Sequence, residues 1–259
     1  MKMSHTFDRV GACVACRSGD APDFALSMAF QPIVDMRTAR TWAYEALVRG
    51  RDGAGAAEVL GRVTDANRYA FDQQCRVAAI ERAVAAGLLA DGAKLSINFL
   101  PNAVYSPKAC IQLTLKTAAA NHLPIDRLMF EFTETERMAD AAHVQNIIDT
   151  YQAMGFVTAL DDFGAGHAGL GLLARFRPDF IKLDMELLRG IDSSAPRRMI
   201  VEAMVGLCAR LGVTVIAEGI ETRGELDAVR SLGIDLVQGY LLARPAFEAL
   251  PGVTLPVAA

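Results

Sequence analysis

The chain has 259 residues, 52% of them hydrophobic and 22% charged, and carries a formal net charge of −4. That balance supports one large core, a length that single α/β barrels commonly reach, while the mild acidity argues against adhesion to polymeric nucleic acid or anionic membrane. No apolar run is long enough to span a bilayer, and residues 1–9 lack the pattern of a secretory signal, so a cytoplasmic protein without membrane insertion is expected.

In chain order, residues 1–24 show no sustained periodicity and read as an N-terminal arm or cap, with 25–259 as one barrel domain. Cys13 and Cys16 form a lone CxxC pair with only His5 nearby. A zinc site needs more ligands, so the pair is assigned to the arm. Cys75 and Cys208 fall in helical apolar patterns and read as core. Runs 26–34 and 42–48 are strand-like, and the short link between them makes an antiparallel hairpin rather than a crossover. A helix is expected over 69–86, with Phe71, Cys75, Ala79 and Val84 near one face and Gly87 at its end.

Beyond this point strand and helix alternate. Strands are expected at 94–100, 128–132, 156–160, 180–183, 213–217 and 236–237, and helices at 107–120, 141–154, 170–175, 196–211 and 223–232. The pattern is that of one α/β domain with a mostly parallel sheet. Length and strand count favour a single (β/α)8 TIM-like barrel with an antiparallel first strand. A doubly wound sheet is the alternative, and no Gly-rich dinucleotide fingerprint supports it.

The polar residues gather where these strands end. The run 156–160 leads straight into Asp161 and Asp162, with Gly164 close behind. Successive strand residues point to opposite faces, so the two carboxylates share a target only if the strand ends and the backbone bends. Two carboxylates 4 Å apart repel by roughly 4 kcal/mol at an effective dielectric near 20, and a divalent cation relieves that repulsion. Other strand ends carry Glu45 with Arg49, Asn98, Glu131 with Glu134, Lys182 with Asp184, Glu218 with Glu221, and Gln238. In a barrel these ends converge on one rim. Oxygen ligands of this kind suit Mg2+ or Mn2+ and not zinc. A pair of such cations serves in-line phosphoryl displacement, and Lys182 and Arg49 are suited to phosphate oxygens. The residues by themselves point to phosphodiester hydrolysis.

With these motifs in view, the chain resembles the EAL-domain family of cyclic di-GMP phosphodiesterases. The matching pieces are Gln31-Pro32-Ile33, Glu45-Ala46-Leu47-Val48-Arg49, Ile97-Asn98-Phe99 and Glu131-Phe132-Thr133-Glu134. They continue with Asp161-Asp162-Phe163-Gly164-Ala165-Gly166, Ile181-Lys182-Leu183-Asp184, Ala217-Glu218-Gly219-Ile220-Glu221 and Gln238-Gly239-Tyr240, followed by Pro245. The resemblance implies that Glu45, Asn98, Glu131 and Asp161 ligate one Mg2+ or Mn2+. It implies that Asp161 bridges to a second ion served by Asp162 and Glu218. Glu218 is also implied as general base, with Lys182 positioning the attacking water. Arg49 would contact a substrate phosphate, Gln31 and Gln238 would seat the dinucleotide, and Glu221 would orient a ligand or Lys182. The implied reaction gives linear pGpG, and the implied assembly is a homodimer.

One stretch departs from the family's pattern. An aromatic residue and two serines usually follow Gly166, whereas this chain reads His167-Ala168-Gly169. That loop is implied to couple metal binding to dimerisation, anchored through Glu134, and the two missing hydroxyls weaken such an anchor. A catalytically weak EAL domain that acts as a cyclic di-GMP receptor, or binds a partner protein, is therefore the alternative reading. Restoring serines at positions 168 and 169 should raise turnover of cyclic di-GMP. Unchanged kinetics and unchanged association state in the double variant would remove the loop from the account.

Overall fold

A computed structural model describes residues 24–133, 141–165 and 169–256. The arm with Cys13 and Cys16, the Glu134 anchor and the His167-Ala168 pair lie outside the described residues. Eight strands close a ring: β1 (Leu26–Asp35), β2 (Arg40–Gly50), β3 (Lys94–Asn98), β4 (Leu128–Thr133), β5 (Val157–Phe163), β6 (Phe180–Leu183), β7 (Thr214–Ala217) and β8 (Leu236–Val237). β2 to β8 run parallel to one another. β1 pairs antiparallel with β2, from Leu26 opposite Gly50 to Asp35 opposite Arg40, and antiparallel with β8, where Val34 faces Val237. A two-residue strand, β9 (Ala246–Phe247), adds to β1 outside the ring.

Helices follow the strands around the outside: α1 (Ala56–Leu60), α2 (Arg68–Ala85), α3 (Leu88–Asp91), α4 (Pro107–Cys110) and α5 (Gln112–Ala120) come first. Then come α6 (Ala141–Ala153), α7 (Gly169–Arg175), α8 (Met185–Leu188), α9 (Ala195–Leu211) and α10 (Arg223–Ser231). The expected barrel and its antiparallel first strand are therefore present. No described helix is long and apolar enough to cross a membrane. Cys75, Cys110 and Cys208 are buried free thiols.

Three elements differ from expectation. The helix expected over 107–120 is two helices, with Ile111 ending one and opening the next. The strand expected to reach residue 100 stops at Asn98, because Pro101 opens a 3-10 turn and the Leu100 N–H turns aside to Asp72 Oδ1 at 3.0 Å. β5, expected to end before its carboxylates, runs through both to Phe163.

The barrel interior is built in layers. Ile33, Ala43, Met129, Ala159, Ile216 and Leu236 form a buried apolar floor. Two residues further toward the rim, on the same face of each strand, stand Gln31, Glu45, Glu131, Asp161, Glu218 and Gln238. Ser96 and Asn98 on β3, and Phe180 and Lys182 on β6, follow the same spacing. On β1 the order reverses, since an antiparallel strand meets the rim before the floor. The outer faces of the strands, among them Phe30, Leu95, Phe130, Phe132 and Leu160, pack against the helices in the main core.

Within that core lies a buried ion pair. Arg76 Nη2 stands 2.8 Å from Asp72 Oδ2, and Arg76 Nη1 donates to the Tyr151 hydroxyl at 3.0 Å. The guanidinium also sits over the rings of Phe99 and Phe130, 5.4 and 5.2 Å from their centroids. These contacts join α2, α6 and the ends of β3 and β4. Removing Asp72 would strand a cation with no access to water. Asp72→Ala should therefore lower the unfolding free energy by about 3–5 kcal/mol in urea titration. Adding Arg76→Met to that variant should recover part of the loss, because the stranded charge goes with it.

Candidate metal centre

Lys182 is the hub of the rim. It is completely buried, and its Nζ lies 2.6 Å from Glu218 Oε1, 2.8 Å from Glu131 Oε2, 3.0 Å from Asp161 Oδ1 and 3.4 Å from Glu45 Oε2. Burial alone would push the lysine pKa down, but the surrounding carboxylates outweigh it and hold it well above its ordinary value. The acids are pushed the other way. Burial drives Glu131 up to about 8 against the pull of Lys182, with Glu45 and Asp161 adding repulsion. Burial likewise raises Glu218 well above the usual carboxylate range.

Asp161 and Asp162 reach one target by a bulge rather than by the end of the strand. The ladder between β5 and β6 shifts register between Leu160 and Phe163, and Asp162 adopts φ +54°. An extra residue in one strand of a ladder re-aims a side chain that alternation would send to the opposite face. Aspartate tolerates the left-handed region better than most residues because its short side chain finds local partners. Carboxylate oxygens of Asp161, Asp162 and Glu218 consequently lie within 4.8 Å of one another. A second set, Glu45, Glu131 and Asp161, meets the same limit, so Asp161 belongs to both. Asp162 is pushed up to about 6, first by burial and then by the charges of Asp161 and Asp184.

Amides orient the acids. Asn98 Nδ2 donates to Glu45 Oε1 at 3.0 Å, and Gln238 Nε2 donates to Glu45 Oε2 at 2.8 Å. Gln238 Nε2 also lies 3.3 Å from Gln31 Oε1, and Gln31 Nε2 donates to the carbonyl of Ala243 at 3.2 Å. The site therefore brings together Gln31, Glu45, Asn98, Glu131, Asp161, Asp162, Lys182, Glu218 and Gln238. The arrangement fits a hard cation on two counts. Its ligand atoms are oxygens, and the buried Glu131 Oε1 has no hydrogen-bond partner, a costly state for a carboxylate.

Two expected members make other contacts, although Glu221 lines the same cavity as the acids. Glu221 does not touch Lys182; its carboxylate pairs with Arg189 Nη2 at 2.9 Å at the half-exposed edge. Arg49 folds its Nη1 onto the carbonyl of Val48 at 2.7 Å. Asp184 lines the cavity but also caps α8, accepting the Glu186 N–H at 2.7 Å.

The acids form the floor of a cavity of about 330 Å³ whose wall includes Gly219, Gly239, Met185 and Tyr240. Both glycines are required by close approach. A Cβ on Gly219 would stand 2.3 Å from the Met185 Cβ, and one on Gly239 would stand 2.0 Å from the Ile220 carbonyl oxygen.

Glu225 was absent from the expected site, although Thr222-x-x-Glu225 is a capping-box signature. Its buried carboxylate accepts the N–H of Gly190, Glu221 and Thr222 at 3.0, 3.0 and 3.1 Å. It thereby ties the segment carrying Glu218 and Glu221 to the α8–α9 connection.

Comparison with known proteins gives consistent matches. The family profile of the EAL domain matches residues 23–245. The blue light- and temperature-regulated antirepressor BluF of Escherichia coli is 34% identical over 229 residues, covering 88% of this chain and 56% of BluF. The probable cyclic di-GMP phosphodiesterase PdeN of E. coli is 29% identical over 231 residues, covering 84% of this chain and 43% of PdeN. The chain thus spans about half the length of these curated relatives. Among solved structures, a standalone versatile EAL protein from Vibrio cholerae O395 in its c-di-GMP-bound form is 47% identical, with TM-score 0.86, covering 90% of this chain and 97% of that one. Klebsiella pneumoniae BlrP1 in a manganese/cy-diGMP complex is 36% identical, with TM-score 0.80, covering 86% and 57%.

Glu225 generates a pH prediction. Burial pushes its carboxyl up, but the N–H groups of Gly190, Glu221 and Thr222, with Arg189, outweigh burial and hold it below its ordinary value of 4.5. A lowered folded pKa contributes stability that is present above the unfolded value and is lost as pH falls through the folded one. Glu225→Gln should cost about 1.5–3 kcal/mol near neutrality. In urea titrations at decreasing pH, its deficit against the parent protein should narrow below pH 4.5.

Proposed function

The chain belongs to the EAL domain family, and on that premise we propose that it is a metal-dependent phosphodiesterase that hydrolyses cyclic di-GMP to linear pGpG. The observation that carries this reading is the intact acid set of Glu45, Glu131, Asp161, Asp162 and Glu218 around a buried Lys182. Glu45, Asn98, Glu131 and Asp161 would hold one Mg2+ or Mn2+, and Asp161, Asp162 and Glu218 a second. When bound, such cations make water a stronger nucleophile and neutralise charge developing on phosphoryl oxygens.

The chain's own residues supply the rest. Glu218, held 2.6 Å from Lys182 Nζ, accepts the proton of the attacking water at a carboxylate oxygen. Lys182 Nζ, fixed between four carboxylates, holds positive charge beside the phosphoryl oxygens as the bond to the leaving oxygen lengthens. Arg49 lies four residues beyond Glu45 on the same face of β2, so a change of rotamer turns its guanidinium from the Val48 carbonyl to a substrate phosphate. Gln31 and Gln238 seat the dinucleotide, and the buried Gln238 Oε1, which has no partner, is an acceptor for a donor on the ligand. Glu221, paired with Arg189, borders the same cavity and contributes to substrate binding from its edge. The reading includes a cytoplasmic homodimer, for which the exposed Met199 and Ile200 on α9 and Leu170 on α7 offer apolar surface.

A receptor that binds the dinucleotide without turnover is the second reading. It is favoured by the Ala168-Gly169 departure and by the regulatory role in the name of BluF.

Incubation with cyclic di-GMP and Mg2+ or Mn2+, with products separated by ion exchange, tests the choice. pGpG should form, and EDTA or Glu45→Ala should abolish it. Lys182→Ala should lower kcat by about a hundred- to a thousandfold. Bound dinucleotide with no product in the parent protein would establish the receptor instead.

A further inference from the structure

A second cavity, of about 400 Å³, opens at the opposite end of the barrel from the acids, where β2, β6, β7 and β8 begin and β1 ends. Its wall is of two kinds. Trp42 and Phe180 pack against the apolar floor from below, with ring centroids 4.8 Å apart and ring planes inclined at 49°. Both rings are only partly buried, and they line the cavity together with aliphatic side chains of α9 and β7. Among the described residues, Asp35, Asp235 and Arg37 supply the charged part of the wall. An apolar wall with a few convergent charged groups is the usual construction of a small-molecule site.

The charges indicate the kind of molecule. Two carboxylates and one guanidinium leave the wall with an excess of one negative charge. Burial pushes the Asp35 carboxyl up, but the Arg37 guanidinium and the N–H groups of Arg37 and Thr38 outweigh burial and hold it below its ordinary value. Arg37 already bridges the two acids, with Nη2 3.3 Å from Asp35 Oδ2 and Nε 3.4 Å from Asp235 Oδ2. Arg230, which does not line the cavity, stands 3.6 Å from Asp235 Oδ1. The Arg37 side chain is exposed and its contacts are long, so the bridge is weak and a ligand's cation can displace it. The Trp42 and Phe180 rings attract the same sign of charge. We propose that this cavity binds a small organic monocation with an aromatic body, an arylalkylamine. Its ring lodges beside Trp42 and Phe180, and its ammonium sits between Asp35 and Asp235 in place of the Arg37 guanidinium. The apolar floor separates this site from the acid rim, so it stands apart from the reaction proposed there.

Trp42 is the single tryptophan of the chain, so its fluorescence reports on this cavity directly. Titration of the full chain with 2-phenylethylamine at neutral pH should give a saturable change in Trp42 emission. 2-Phenylethanol, the same body without the charge, should bind about tenfold more weakly. Asp35→Asn should weaken binding of the amine about threefold to tenfold and leave that of the alcohol unchanged. Arg37→Gln should act the other way and tighten binding of the amine about threefold, because the built-in competitor is gone. A cavity merely damaged by substitution would not gain affinity. An emission change that rises without saturation, equal affinity for amine and alcohol, or weaker amine binding in Arg37→Gln would each overturn the assignment. None of these outcomes bears on the reading of the acid rim as a cyclic di-GMP site.

Discussion

A lysine sealed inside a barrel among carboxylates is the constraint from which the rest of this structure follows. Lys182 stays charged without water only because Glu45, Glu131, Asp161 and Glu218 surround it, and those acids approach one another only because the ammonium stands between them. The balance is incomplete. With Asp162, five carboxylates face one ammonium, an excess of four negative charges that protons or cations must meet. The upward displacement of Glu131, Asp162 and Glu218 is the proton answer. Divalent cations, on the reading proposed above, would supply positive charge at neutral pH, where three carboxyls protonated at once would be poor ligands.

Much of this was readable in the chain because the strand repeat is two. Each polar rim residue stands two positions from an apolar floor residue: Ala43 and Glu45, Met129 and Glu131, Ala159 and Asp161, Ile216 and Glu218, Leu236 and Gln238. Once strands and helices alternate, that spacing places the acids together without any knowledge of the fold's details. What was not readable is what breaks the repeat or depends on distant partners. The bulge in β5 has no local signal beyond the adjacent carboxylates, so the strand seemed to end there. Glu221 falls at a strand end like the others. Its carboxylate instead pairs with Arg189, from the turn after α8, a partner distant in sequence. Arg76 looks like an exposed helical charge until Phe99, Phe130 and Tyr151 enclose it.

Two carboxylates remote from the chemistry do related work. Asp72 accepts the Leu100 N–H just beyond Asn98, and Glu225 accepts the Glu221 and Thr222 N–H groups just beyond Glu218. Loops leaving a barrel rim have no ladder to satisfy their backbone donors. Here a side chain from α2 and another from α10 complete them, which fixes the two strand ends from behind while the front stays open to ligand. The helices thus contribute to the site without entering it.

The bulge in β5 has a consequence for how such a site changes over time. Asp162 joins Asp161 and Glu218 because the chain has one residue more between Leu160 and Phe163 than the neighbouring strand requires. Shortening β5 by that residue would leave eight strands free to close and every other rim acid in place, yet would return the position to ordinary alternation. The meeting of these three carboxylates therefore depends on the length of one strand as well as on the identity of its residues.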